Sequence, residues 1–125
     1  MKVITIKEPW ASLIINGYKE YEFRSWKTNY RGEILIHTSQ QVDKEALKKF
    51  EDLNLNYQTS KIIGKVSIID CKLVDDKFDK ELSKSIVHNS SSKIGKYAWV
   101  LKDPQPLINN KEVKGRLGIW NIELK

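Results

Sequence analysis

Gly17-Tyr18-Lys19-Glu20-Tyr21-Glu22-Phe23-Arg24-Ser25-Trp26 is the stretch on which the fold turns, because it leaves a helical pattern and takes up a different period. Alternation puts Glu22, Arg24 and Trp26 on one side and Tyr21, Phe23 and Ser25 on the other, as in a strand. One face carries an acid, a base and a large aromatic, and the other is apolar and hydroxylic. Upstream, Trp10, Leu13 and Ile14 recur at spacings of three and four, and Gly17 supplies the left-handed residue that ends many helices. Pro9 fits the first helical position with Glu8 as cap, and Val3-Ile4-Thr5-Ile6 is a β-prone run before it. The order is strand, short helix, strand.

Downstream, Lys27-Thr28-Asn29-Tyr30-Arg31-Gly32 reads as a basic connection and Glu33 to Thr38 as a strand. Asp43 can cap a helix over Lys44 to Asp52, with Val42 stapled on Leu47. Lys61 to Val74 is a long β-branched run that Gly64 can bend. Asp75 to His88 is helical through Phe78, Leu82 and Ile86, and Asn89 to Lys93 breaks it as a mobile polar loop. Tyr97 to Leu101 is a strand, Asp103-Pro104-Gln105-Pro106 cannot continue a central strand, and Gly118 to Leu124 is a closing strand. Irregular element spacing and the lack of a glycine-rich phosphate loop predict the α+β class, as a small mixed β-barrel with peripheral helices.

The chain of 125 residues is expected to form a single domain. The lone Cys71 has no partner for an internal disulfide and no ligand-spaced neighbours, which argues for a reduced, cytoplasmic setting and against a structural metal. No apolar run approaches the roughly 18 to 20 residues of a membrane span, so no membrane partner is expected. The formal net charge of +6 makes this a basic protein and favours an anionic partner, although a solvated surface accounts for it equally well. No cofactor motif is present, and nothing sets an oligomeric state.

Four segments carry a resemblance. They are Pro9-Trp10-Ala11-Ser12-Leu13-Ile14-Ile15 followed by Gly17, Lys19, Glu22 and Arg24-Ser25-Trp26; Tyr30-Arg31-Gly32 with Ile34-Leu35-Ile36-His37; Tyr97-Ala98-Trp99-Val100-Leu101; and Gly115 with Leu117-Gly118-Ile119-Trp120. In this order they resemble the ASCH domain family, a member of the PUA-like group of small β-barrels. The resemblance implies one ASCH domain over residues 1–125, a cleft between the first helix and the next strand, and a role in binding RNA or a nucleoside-like ligand.

The residues support that expectation on their own chemistry. Arg24 offers a planar fork suited to phosphate or a base edge, and Lys19 a flexible point charge. Glu22 can accept from an exocyclic amine or orient Arg24, and Trp10 or Trp26 can stack on a base. Against this, Glu22 and Arg24 two apart on one strand also suit a structural ion pair, and Trp10 a core position. Lys27, Tyr30 and Arg31, with Lys111, Lys114 and Arg116, can track a nucleic-acid backbone or be ordinary surface. Trp99 and Trp120 are read as core, His37 as packed and Cys71 as buried and inert. The expected ligand site is thus Trp10, Lys19, Glu22, Arg24, Trp26 and Arg31.

An enzyme is the alternative. Some ASCH proteins are amidohydrolases that deacetylate 4-acetylcytidine with a lysine, a threonine and a glutamate. Lys19 matches the lysine, but Glu22 stands where the threonine would be, and a carboxylate cannot replace the hydroxyl nucleophile. Hydrolysis through Lys19 and Glu22 then requires Glu22 to activate water. Asp70, Thr28 and Ser25 are further candidates without a fixed place.

Overall fold

Strand β1 (Lys2–Glu8) lies inside a six-stranded sheet because its apolar residues serve both faces. Val3 packs with Leu35, Ile62 and Trp120 on one side, while Ile4 and Ile6 join the larger core on the other. The computed structural model describes residues 1–108 and 111–123. After β1 come α1 (Trp10–Ile15), β2 (Tyr21–Arg24), β3 (Gly32–Val42), α2 (Lys44–Lys49) with a 3-10 turn (Glu51–Leu53), β4 (Ile62–Leu73), α3 (Asp76–Ser83), β5 (Tyr97–Pro106) and β6 (Ile119–Asn121). The strand order is β2-β5-β4-β3-β1-β6, with β1 and β3 parallel and the other pairs antiparallel. Register shifts interrupt the ladders that β4 makes with β3 and β5, the irregularity by which bulges bend a strand.

Six residues are too few for a helix to persist by itself, so α1 depends on burial and on its ends. Ala11 to Ile15 are all buried, and each fully buried Leu or Ile is worth about 1.5–3 kcal/mol. Glu8, 1 % exposed, accepts from the Ser12 amide (2.8 Å), the Ser12 hydroxyl (2.5 Å) and the Gln58 amide (3.3 Å). Its carboxylate thereby satisfies a first-turn amide, but the N-cap is Pro9 and the helix begins at Trp10, so the expected arrangement of Glu8 as cap and Pro9 as first helical residue is shifted by one position. At the other end Gly17 has φ +83°, with its amide on Ile14 O (3.1 Å) and the Tyr18 amide on Leu13 O (2.9 Å), a Schellman closure. Gly64 does more than bend β4. A Cβ there would lie 2.6 Å from Gln105 O and 2.6 Å from Ile15 Cδ1, so the glycine lets α1 and β5 come close to β4.

The class is α+β, as the sequence indicates, but the described strands do not close. Strands β2 and β6 end the hydrogen-bonded order, so the small barrel is replaced by an open sheet; with four and three residues, these edge strands offer little ladder to each other. Residues 103–106 do continue β5. Strand β2 pairs only as far as Val100, so the prolines lie where one edge of β5 has no partner. Helix α3 stops at Ser83 because residues 84–88 turn through i−3 bonds. Strand β6 is shorter than expected, and Leu124 lies outside the described residues. Among the described residues no helix is long and apolar enough to cross a membrane, and no cluster of three or more His, Cys, Asp or Glu is placed to hold a metal.

Candidate functional site

The Schellman turn at Gly17 sends the chain from α1 into β2 with Lys19 beneath the helix end. Its ammonium is only 5 % exposed, donates to Tyr21 O, and lies 4.8 Å from the Phe23 ring centroid and 5.9 Å from that of Trp10. Burial pulls its pKa down to about 8 despite the nearby Glu22 carboxylate, and Lys93 adds to the lowering. Glu22 and Arg24 share a face two residues on. Arg24 donates from Nε (3.0 Å) to Glu22 Oε2, with Nη2 2.9 Å from the same oxygen, and Nη2 also donates to Thr5 O (2.8 Å). The other oxygen, Oε1, is 4.0 Å from Lys19 Nζ, and Arg24 Nη1 has no hydrogen-bond partner among the described residues.

These side chains line a cleft of about 510 Å³, within the usual range of ligand sites. Trp10, Lys19, Glu22 and Arg24 are all in its wall, with Thr5, Phe23, Val87, Ser91, Lys93 and others. Trp10 is also a packing residue, set edge-on against Phe50 and donating from Nε1 to Asp43 Oδ2 (3.1 Å). The ion-pair reading of Glu22 and Arg24 therefore holds together with their place in the cleft.

Two expected ligand residues lie elsewhere. Trp26 is past the end of β2, 38 % exposed, and packs edge-on against Trp99 with centroids 4.8 Å apart. Arg31 bonds to its own turn, to Thr28 O (3.0 Å) and Tyr30 O (2.9 Å), and faces Asp70 at 3.9 Å. Neither lines the cleft, nor do Asp70, Lys27, Lys111, Lys114 or Arg116. Thr28 is buried and accepts from the Tyr30 amide. Cys71 is half-buried rather than buried, whereas Trp99, Trp120 and His37 are core residues. His37 bonds Thr5 Oγ1 through Nδ1 (3.0 Å) and donates from Nε2 to Val113 O (2.5 Å), so Nε2 carries a proton, and burial lowers the ring's pKa, which favours the neutral form.

The opposite wall was not foreseen. Asn89 to Lys93 is tied to α3: Asp79 accepts from the Lys93 amide (2.7 Å) and the Ser92 hydroxyl (3.1 Å). Lys93 itself is 7 % exposed, and burial lowers its pKa. Beside Phe23, His88 is 2 % exposed, tilted against Tyr21 and edge-on to Phe23. Burial, then Lys19 and Lys93, push its pKa down to about 3, so it adds no charge at neutral pH.

A family model described as the ASCH domain matches residues 4–112. The chain belongs to the ASCH family. Among curated relatives of this ASCH chain is activating signal cointegrator 1, from Homo sapiens (29 % identical) and Mus musculus (28 % identical). Each match covers 98 % of this chain and 22 % of the relative, so the chain spans about a fifth of those proteins. The fold is shared with ASCH structures from Zymomonas mobilis. A serine-to-alanine mutant of ZmASCH matches with TM-score 0.54 at 20 % identity, covering 84 % of this chain and 69 % of that one. The unmutated protein matches with TM-score 0.50 at 15 % identity, over 90 % and 72 %.

Proposed function

We propose that this chain is a single ASCH domain that binds RNA or a modified nucleoside by taking a base into the cleft between α1 and β2. The observation that carries the reading is the nearly buried Lys19 ammonium beside a Glu22–Arg24 pair that keeps one acceptor, Oε1, and one donor, Nη1, unused. A merely structural ion pair needs no buried third charge, and taking an ammonium out of water opposes stability even where ring faces attract it. Trp10 supplies an aromatic surface beside these polar groups, the combination by which single-stranded bases are recognised. Titration of short RNAs and free nucleosides against wild type, Lys19→Ala, Glu22→Gln and Arg24→Ala tests the reading. Wild type binds and the three variants lose at least tenfold in affinity; equal binding by four folded proteins rejects the cleft.

A second reading is supported by the lowered pKa of Lys19. At about 8, a substantial neutral fraction exists near physiological pH, as general-base chemistry requires. In that case Lys19 and Glu22 serve an amidohydrolase acting on 4-acetylcytidine-like nucleosides, with Glu22 activating water in place of a hydroxyl nucleophile. Cytidine released from 4-acetylcytidine by wild type but not by Lys19→Ala supports it, and no release by wild type rejects it.

A further inference from the structure

The two nearly buried lysines of the cleft meet at one ring. Lys19 Nζ is 4.8 Å and Lys93 Nζ 5.3 Å from the Phe23 centroid, although one comes from the α1–β2 turn and the other from the loop after α3. Each is oriented by neutral oxygens, Lys19 by Tyr21 O and Lys93 by Ser91 O (2.8 Å) and Ser91 Oγ (3.1 Å), and each keeps at least one N–H unused. Glu22, 4.0 Å from Lys19, is already held by Arg24, and the Asp79 carboxylate is engaged by the Lys93 amide and Ser92. Among the residues lining the cleft, Lys7, Lys19, Arg24, Lys93 and Lys96 stand against two carboxylates, Glu22 and Asp43, and even with Asp79 beside Lys93 and Glu20 near Lys19 counted the balance stays positive when all are ionised. A neutral base needs no such excess.

We infer that the Lys19–Lys93 pair is a seat for a terminal phosphate, so that the ligand of this cleft is a phosphorylated nucleoside or the phosphate-bearing end of an RNA. This rests on the nucleoside reading above and adds the anion to it. Two ammonium groups match the charge of about −1.5 to −2 on a phosphomonoester better than the single charge of an internal phosphodiester. The seat lies against the Phe23 ring, and Val87 adds apolar lining to the same cleft, surroundings that suit a group that ends there rather than one the chain passes through. Exposed Lys96 stands at the mouth, where it draws the anion in.

Calorimetric titration at low salt, with the four common ribonucleosides, their 5′- and 3′-monophosphates and inorganic phosphate, tests the seat. For the base that binds, one monophosphate binds at least tenfold tighter than its nucleoside, and Lys93→Met brings that ratio below threefold. Lys96→Ala, an exposed change that leaves the fold intact, lowers the ratio two- to fivefold and serves if Lys93→Met does not fold. A tenfold preference for a 5′- or 3′-phosphorylated tetranucleotide over its hydroxyl-ended counterpart identifies an RNA end, and equal binding of the two with tight mononucleotide binding identifies a free nucleotide. If nucleoside and monophosphates bind alike, the seat is wrong and the base reading survives. If wild type binds none of the nucleosides, nucleotides or RNAs, both fall.

Discussion

Replacing Lys19 by Met should make the protein more stable near neutral pH and erase a specific part of its pH dependence. The lysine titrates at about 8 in the folded protein against 10.5 for an ordinary lysine. Between these values the unfolded chain binds the proton that the folded chain has released, so stability rises with pH across this window. The full shift of about 2.5 units corresponds to roughly 3 kcal/mol opposing folding at pH 7, of which about 2 kcal/mol is relieved by pH 9.5. Methionine removes this opposition but leaves Tyr21 O without its donor, a loss of about 1 kcal/mol. Lys19→Met should therefore exceed wild type by about 2 kcal/mol at pH 7 and equal it near pH 9.5. Urea unfolding of both proteins at half-unit steps from pH 7 to 9.5 measures the difference, in which contributions common to both proteins cancel. Lys93 cancels only in part, because its charge is felt by Lys19. Parallel pH profiles, or a wild type that loses stability relative to the variant as pH rises, would refute the account of Lys19 as a buried, desolvated cation.

Other perturbations separate local packing from the cleft. Gly64→Ala should destabilise the fold by about 1–3 kcal/mol through forced displacement of α1 and β5, read from the urea midpoint; a neutral result would mean that neither Ile15 nor Gln105 restricts the site. Trp26→Ala should cost about 1 kcal/mol of stability by losing its edge contact with Trp99 while nucleoside affinity stays within twofold, and a tenfold affinity loss would restore Trp26 to the site. Arg31→Ala should likewise leave nucleoside affinity within twofold, since its guanidinium serves its own turn; a larger change in titration counts against the placement. Burial raises the pKa of Glu8, so its contribution is full below the ordinary carboxyl value and is lost as pH rises through the folded value. The stability of wild type relative to Glu8→Gln should accordingly decline from pH 4 to 7, and a rising difference would show that the hydrogen bonds from Ser12 and Gln58 outweigh burial.

What the sequence disclosed and what it hid divide along the range of the interactions. The close of α1 at Gly17 and the alternation from Tyr21 to Arg24 depend on neighbours within a few residues, and both are legible in the chain. Extending that alternation to Trp26 fails because β2 stops at Arg24, and periodicity contains no signal for the end of a four-residue edge strand. Arg31 looked available because its partners are backbone carbonyls, which residue identity cannot reveal. The largest omission is Lys93. Its polar run reads as a free loop unless Asp79, fourteen residues earlier on α3, is known to hold it, and only the packed position of α3 makes that contact. The open sheet likewise depends on which distant edges meet, not on local preference. One part of the cleft, Lys19, Glu22, Phe23 and Arg24, is therefore written in one contiguous stretch, and the rest is delivered by tertiary packing. This explains why the sequence marks Lys19 as a candidate site residue but not why it is costly: the second cation, which repels it, arrives from the other wall.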